Sequence, residues 1–184
     1  MGEIRIIGGS RRGRRLTVPP LRAVRPTGDR VREAVFDVLG PLEREWAIDV
    51  FAGSGALGLE ALSRGATRCV FVERDPRVCA ALRLNIARLG FGEATEVVNA
   101  NFLTGLRVVG ARAERYDVLF LDPPYRTAGR VMAQVTPWLR LLLRDGGLAV
   151  VEGPKGTTME AELEKVFERN YGDTCISMFR KVGS

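Results

Sequence analysis

The segment best suited to chemistry is Asp122-Pro123-Pro124-Tyr125, which follows an apolar run typical of a buried strand. Its two prolines fix φ and remove backbone donors, so the Asp122 carboxylate and the Pro123 carbonyl are rigid acceptors. Two acceptors can bind both protons of one amino group and turn its lone pair toward an electrophile. Tyr125 offers a ring on which a base can stack. We predict that residues 122–125 form a catalytic loop acting on an exocyclic amine; the alternative is a proline turn that only ends a strand.

A glycine loop lies about 70 residues earlier, where a strand-like run leads into G-x-G-x-x-G at Gly53, Gly55 and Gly58. Glycines there permit a tight turn and a close approach of a ligand to backbone amides at a helix N-terminus. This spacing suits NAD and S-adenosylmethionine equally, and a structural turn remains an alternative. The predicted cofactor-binding residues are Asp49, Phe51, Gly53, Ser54, Gly55, Glu73, Arg74, Asn101, Phe102 and Asp122.

Acidic and amide side chains near this loop narrow the choice of ligand. Glu73 follows Gly53 by 20 residues and is placed to accept hydrogen bonds from ribose hydroxyls. Asp49 favours S-adenosylmethionine, because a carboxylate there attracts an ammonium or sulfonium group and repels a pyrophosphate. Its alternative role is that of a strand-end residue capping a turn. Asn101 suits either an adenine edge or turn formation.

Short apolar runs alternate with helical periodicity along most of the chain. The predicted strands are residues 47–51, 68–72, 95–99, 116–121, 148–152 and 174–181. The predicted helices are residues 56–64, 76–89, 129–143 and 159–170, preceded by one that Thr27 or Asp29 caps and that ends near Gly40. This alternation predicts an α/β fold, a parallel sheet with helices on both faces.

Length and composition limit the possible functions. A chain of 184 residues with 46% hydrophobic residues fits one core-forming domain. Because histidine is absent, Ser-His-Asp and Cys-His nucleophiles are excluded. Three scattered cysteines favour neither a disulfide framework nor a zinc site, and we expect no metal. Without a signal or membrane-spanning pattern, we expect a cytoplasmic protein that does not bind membranes.

Positive charge is concentrated at the N-terminus. Residues 1–32 contain nine arginines and two acidic residues, whereas the rest of the chain is nearly neutral. Alternating residues on both sides of Gly8-Gly9 predict a β-hairpin, and prolines then form a linker, so we divide the chain into residues 1–26 and 27–184. A basic segment can bind a polyanion or be merely solvated surface. The predicted RNA-binding residues are Arg5, Arg11, Arg12, Arg14, Arg15, Arg25, Arg30 and Arg32.

Longer motifs resemble one enzyme family. The glycine loop followed by Asp-Pro-Pro-Tyr is similar to class I S-adenosylmethionine-dependent methyltransferases that modify exocyclic amines. The strings at residues 4–9, 25–33 and 51–64, which read IRIIGG, RPTGDRVRE and FAGSGALGLEALSR, resemble the bacterial RsmD-type enzymes. The likeness spans nearly the whole chain.

This resemblance implies a Rossmann-like, seven-stranded, mostly parallel sheet whose last strand is antiparallel, with an N-terminal β-hairpin that assists RNA binding. It implies methyl transfer from S-adenosylmethionine to N2 of a guanine in 16S rRNA of the small ribosomal subunit. It also places residues 25–32 beside the active site. We also expect the protein to be a monomer.

The sequence is also compatible with other activities. The closest is N6 methylation of adenine in DNA or RNA, which uses the same tetrapeptide. Pyrimidine C5 methylation is disfavoured because no cysteine lies within residues 122–125. Methylation of a protein amide, a nicotinamide-dependent oxidoreductase and a catalytically silent RNA-binding module are more distant alternatives.

Overall fold

A single sheet organises the molecule. The structure, a computed structural model, describes residues 4–18, 28–156 and 163–183. Its strands are β1 (Trp46–Val50), β2 (Arg68–Glu73), β3 (Thr95–Asn99), β4 (Tyr116–Leu121), β5 (Leu143–Pro154), β6 (Glu164–Tyr171) and β7 (Thr174–Arg180). They lie in the order β3-β2-β1-β4-β5-β7-β6, and β7 is antiparallel to both of its neighbours. The predicted seven-stranded, mostly parallel sheet with an antiparallel last strand is confirmed.

In the described part of the chain, five α-helices cover the two faces of this sheet. They are α1 (Asp29–Leu39), α2 (Ala56–Ser63), α3 (Pro76–Leu89), α4 (Phe102–Gly110) and α5 (Ala128–Leu142). Buried residues of α1, α2 and α3 pack in one apolar cluster, and those of α4 and α5 pack in a second. The predicted arrangement, with helices on both faces of the sheet, is confirmed. Across the residues that the structure describes, no helix has both the length and the apolar character needed to span a membrane.

Local signals set the ends of α3 and the end of α1. The Asp75 carboxylate accepts a hydrogen bond from the Arg77 amide, and Pro76 occupies the first helical position. Gly90 ends α3 in the left-handed conformation at φ 73°. Gly40 likewise follows the last residue of α1, as predicted.

The start of α1 differs from the prediction. Gly28 occupies the N-cap position without a side-chain hydrogen bond, and Asp29 is already the first helical residue. The Asp29 carboxylate instead binds Arg32 at 2.8 Å and Arg5 at 3.3 Å. Capping by Asp29 is therefore wrong, because two guanidinium groups use its carboxylate; Thr27 lies outside the described residues.

The helix predicted over residues 159–170 is wrong for the part that the structure describes. Residues 164–171 form β6, an edge strand paired with β7, so sheet pairing outweighs the helical pattern. Tyr171 and Thr174 close the hairpin around Gly172, which has a φ of 61°, and Asp173. A Gly-Asp pair between two runs is a hairpin signal, and it could have revealed this strand.

The N-terminal segment, residues 4–18, folds back on itself but forms little regular sheet. One antiparallel bridge joins Arg5 to Arg15, and the Leu16 amide donates to the Ile4 carbonyl at 2.9 Å. The side chains of Ile4, Ile6 and Leu16 are buried in the same cluster as α1, α2 and α3. The segment is therefore part of the core and exposes its arginines from a fixed position.

Polar side chains of α2 fix this segment through its backbone. The buried Glu60 carboxylate accepts hydrogen bonds from the amides of Ile7, at 2.7 Å, and Gly8, at 2.8 Å. The Ser63 hydroxyl donates to the Gly8 carbonyl at 2.6 Å and accepts from the Arg11 amide at 2.9 Å. These bonds satisfy backbone groups that a buried segment would otherwise leave unpaired.

Gly9 provides a test of this docking. A Cβ at Gly9 would lie 1.8 Å from the Ser63 carbonyl oxygen, whereas one at Gly13 meets nothing within 4 Å. Both glycines have positive φ, so substitution by alanine strains both about equally, by roughly 1 kcal/mol. We expect Gly9→Ala to lower the free energy of unfolding by about 2–4 kcal/mol, and Gly13→Ala by about 1 kcal/mol, in urea denaturation. Equal losses in the two variants would contradict the docking.

Candidate functional site

The strand register brings the predicted site residues to one edge of the sheet. One row of paired residues crosses five strands: Val98, Val72, Val50, Leu121 and Val151. The residues that follow them in the chain are Asn99, Glu73, Phe51, Asp122 and Glu152. The chain passes from β1 to β2 and β3 on one side of β1 and then crosses to β4 on its other side. A topological switch point therefore lies between β1 and β4, and the glycine loop and residues 122–125 flank it. Ligands of open α/β sheets bind at such a point.

The glycine loop turns away directly after β1. The amides of Phe51 and Ala52 both donate to the Val72 carbonyl at 3.1 Å, and Phe51 has a φ of 73°. Positive φ is uncommon for a bulky residue and marks local strain. Gly55, at φ 84°, caps the N-terminus of α2, and a Cβ there would lie 2.4 Å from Leu82 Cδ1. The turn thus needs glycine both for its conformation and for its contact with α3.

Glu73 binds the glycine loop to the end of β2. One carboxylate oxygen accepts from the Gly53 amide at 3.0 Å, and the other accepts from the Asp75 amide at 2.9 Å. Each oxygen has a second lone pair, and the side chain is only half-buried. The predicted hydrogen bonds to ribose hydroxyls are therefore chemically open to Glu73.

Asp49 is 2% exposed and lies beneath the loop. Its carboxylate accepts from the Gly58 amide at 2.9 Å, in the first turn of α2. Burial raises the pKa of Asp49 to about 7; the Gly58 hydrogen bond acts in the opposite direction, and the charge of Glu73 adds to the rise. Asp49 is therefore both a structural partner of α2 and a carboxylate whose ionisation a nearby cation would favour.

The third side of the loop is formed by the end of β3 and the start of α4. The half-buried rings of Phe51 and Phe102 lie 5.1 Å apart. Asn101 caps α4, since its side-chain oxygen accepts from the Thr104 amide at 3.1 Å. This is the turn-forming alternative; the adenine contact predicted for Asn101 stays a prediction. Asn99, which sequence reasoning missed, donates to the carbonyls of Glu73 and Arg74.

The segment predicted to be catalytic, residues 122–125, lies directly after β4. Pro123 is buried, whereas Pro124 is exposed. The Pro124 carbonyl accepts from both the amide, at 2.9 Å, and the hydroxyl, at 3.0 Å, of Thr127. These bonds fix the turn that leads from residues 122–125 into α5.

Tyr125 is anchored by its hydroxyl. It donates to Glu152 Oε1 at 3.2 Å and lies 2.6 Å from Thr174 Oγ1. Burial is the main cause that raises the pKa of Tyr125, so the phenol is neutral at physiological pH. Sequence reasoning missed Glu152, which lies near the end of β5, and Thr174, which begins β7. Pairing of these two strands could have revealed both.

The predicted RNA-binding arginines divide into different environments. Arg5, Arg12, Arg14, Arg15 and Arg30 are exposed, and Arg25 lies outside the described residues. Arg11 is half-buried, since its Nε donates to the Leu89 carbonyl at 2.7 Å and its guanidinium packs on the Phe91 ring.

Arg32 is 0% exposed. Its guanidinium donates to the Arg5 carbonyl at 2.7 Å and to Asp29 at 2.8 Å. The RNA contact predicted for Arg32 is therefore wrong, because burial removes this side chain from any ligand surface. Arg32 instead helps to hold α1 and the N-terminal segment together, on the face of the sheet toward which Glu73 and Glu152 point.

The chain is similar to a family of known proteins over nearly its whole length. The model of the family described as "Conserved hypothetical protein 95" matches residues 4–180. The chain is 48% identical over 126 residues to ribosomal RNA small subunit methyltransferase D of Escherichia coli K12, covering 68% of this chain and 62% of that relative. It belongs to the RsmD family. The resemblance stated from the motifs is thereby confirmed.

Two proteins of similar size extend the match to the full chain. YlbH of Bacillus subtilis, whose name assigns it provisionally to the rRNA methyltransferases, is 31% identical over 98% of this chain and 100% of its own. The solved structure of yhhF from Escherichia coli, provisionally described as a methyltransferase, superposes with a TM-score of 0.85 at 36% identity and covers both chains completely.

The fold is also found at lower identity. An RNA methyltransferase from Salinibacter ruber, solved in complex with S-adenosyl-L-homocysteine, has a TM-score of 0.67 at 16% identity, over 87% of this chain and 95% of that one. The Rossmann-like methyltransferase fold predicted for this chain is confirmed.

The raised pKa of Asp49 gives a pH-dependent prediction. A raised folded-state pKa adds stability at pH values below the unfolded pKa, near 4, and this stability is lost as pH rises to about 7. Asp49→Asn removes the titration and retains an oxygen acceptor for Gly58. We expect the free energy of unfolding of Asp49→Asn, measured by urea denaturation, to rise relative to that of the wild type by roughly 2 kcal/mol between pH 5.5 and pH 8. A difference independent of pH would show that Asp49 does not titrate in this range.

Proposed function

We propose that this protein transfers a methyl group from S-adenosylmethionine to N2 of a guanine in 16S rRNA. The observation that supports this most is the position of Asp122-Pro123-Pro124-Tyr125 at the switch point, beside the glycine loop. Membership of the RsmD family supports the same reaction class.

The residues around the glycine loop fit the proposed cofactor. Glu73 offers acceptors for ribose hydroxyls, and Phe51 and Phe102 supply apolar rings beside the loop. Asp49 supplies a carboxylate that a positive charge would favour in its ionised form. S-adenosylmethionine, when bound, supplies an electrophilic methyl group on a sulfonium.

The catalytic loop would act on the amino group of the base. The Asp122 carboxylate and the Pro123 carbonyl accept hydrogen bonds from its two protons, which directs the nitrogen lone pair away from the loop. Asp122 also stabilises the positive charge that develops on the nitrogen and would accept the proton that the methylated amine must lose. In-line transfer then needs neither a covalent enzyme intermediate nor a metal.

Tyr125 would stack on the extruded base. Its hydroxyl is bound at the ends of β5 and β7, which restricts the ring before any substrate arrives. A pre-ordered ring loses less conformational entropy on binding. A guanine edge, which presents donors at N1 and N2, suits the acceptor-only carboxylate of Asp122.

The N-terminal part would bind the RNA backbone. We propose that residues 1–26 form an RNA-binding part and residues 27–184 the methyltransferase part of one chain. The exposed arginines of the N-terminal segment lie on the face toward which Glu73 and Glu152 point. The proposed partner is 16S rRNA within an assembling or assembled small ribosomal subunit, which places a monomeric enzyme in the cytoplasm.

Methyl transfer tests the reaction directly. Labelled S-adenosylmethionine is incubated with small ribosomal subunits that lack the modification, with their protein-free RNA and with duplex DNA, followed by nucleoside mass analysis. We expect N2-methylguanosine from a ribosomal substrate. We expect Asp122→Ala to lower turnover at least 100-fold, far more than it lowers cofactor affinity, because its bonds to the substrate amino group strengthen in the transition state.

Asp145→Ala is the matched control, since Asp145 is an exposed carboxylate at the opposite edge of the sheet. N6-methyladenine as the product would retain the catalytic loop and overturn the substrate. Full turnover of Asp122→Ala would contradict its assigned role.

The arginine surface is tested by salt dependence. Replacing Arg12, Arg14 and Arg15 with alanine should weaken binding of 16S rRNA and reduce the slope of log affinity against log salt. Each lost phosphate contact lowers the slope by about 0.7–0.9. The control replaces three exposed arginines on the other face, Arg107, Arg130 and Arg140. An unchanged slope in the first variant, or an equal change in both, would contradict the proposed surface.

A further inference from the structure

One buried amide connects the N-terminal segment to the glycine loop. Asn85, on α3, is 1% exposed. Its oxygen accepts from the Thr17 amide at 2.8 Å, and its nitrogen donates to the carbonyls of Thr17 and Ser54, each at 3.0 Å. Both functions of the amide are thus used on backbone groups of two segments that are distant in the chain.

The bond to Ser54 fixes one peptide plane of the glycine loop. The carbonyl of this plane is bound by Asn85, and its amide, on Gly55, donates to the Ala52 carbonyl at 2.7 Å. A peptide unit is planar, so bonds at both ends set its orientation. Gly55 can adopt other φ values at little steric cost, and loss of the Asn85 bond would allow this plane to rotate.

The same helix also holds the N-terminal segment. Arg88 Nη1 donates to the Thr17 hydroxyl at 2.8 Å, one turn after Asn85. Leu82, which contacts Gly55, lies one turn before Asn85. The position of residue 17 and the orientation of the 54–55 peptide plane are therefore set by a single rigid helix.

We infer that Asn85 is a positioning residue that couples RNA binding at the N-terminal segment to cofactor binding at the glycine loop. The inference rests on the proposed function. RNA that holds residue 17, at the end of the segment, in its observed position also favours the Asn85 bond to Ser54, and a ligand on the glycine loop favours the same arrangement. Such coupling is reciprocal, so each ligand tightens binding of the other by the same factor.

The test measures this factor as the ratio of the RNA dissociation constant without S-adenosylhomocysteine to the constant with it. Dissociation constants of 16S rRNA are measured by filter binding with and without saturating S-adenosylhomocysteine, which permits no turnover. We expect S-adenosylhomocysteine to tighten RNA binding by the wild type at least fivefold. Asn85→Asp keeps an acceptor for Thr17 and places a carboxylate opposite two carbonyl oxygens, so the ratio should approach one.

Ser63→Ala is the matched control. Ser63 is buried and holds the N-terminal segment at Gly8 and Arg11 from α2. Loss of its hydroxyl should lower stability and RNA affinity yet keep the ratio. If the role of Asn85 were merely structural, the Asn85 variant would behave in the same way. If Asn85→Asp does not fold, Asn85→Ser removes the amide donor without adding a charge.

An unchanged ratio in the Asn85 variant, or an equal fall in Ser63→Ala, would overturn the inference. A wild-type ratio of one, with both ligands bound, would overturn it as well and leave the proposed function intact. Failure of the proposed function is distinguishable, because the wild type would then not bind S-adenosylhomocysteine, not bind 16S rRNA, or not form N2-methylguanosine in the methyl-transfer assay.

Discussion

The level register of β2, β1, β4 and β5 is the constraint on which the site depends. Parallel strands bring their carboxyl ends to one edge, but only matched register places residues 73, 122 and 152 at the same height. A slip of one residue would move the Glu73 and Glu152 side chains to the face covered by α4 and α5. The apolar packing of both faces thus sets where the carboxylates lie.

Much of this arrangement could be predicted from local sequence, because several elements have signals of their own. Pro76 and Gly90 enclose α3, whose predicted bounds match the structure, as do those of β3 and β4. The glycine loop and the tetrapeptide that we propose to be catalytic could be placed at strand ends for the same reason. The strand predicted over residues 148–152 was shorter than β5, because β5 also includes a polar, glycine-containing stretch before Leu148, where the register with β4 shifts.

The rest depended on contacts between distant segments, which single-sequence patterns do not contain. Residues 164–171 have a helical pattern and become an edge strand only because β7 is available. Arg32 looks like an exposed basic residue until α1 packs against the N-terminal segment and buries it. Glu60 and Asn85 look like surface polar residues of helices, yet both are buried against backbone groups.

The docking of the N-terminal segment has an evolutionary consequence. Glu60, Ser63 and Asn85 bind amides and carbonyls, which every residue except proline possesses. The shape of the segment therefore depends on its backbone, on the apolar side chains that enter the core and on Gly9, and it depends little on the polar side chains of the segment. Residues on its outer surface are free to change with little loss of stability, so the same scaffold can acquire a different pattern of charges and recognise a different RNA shape.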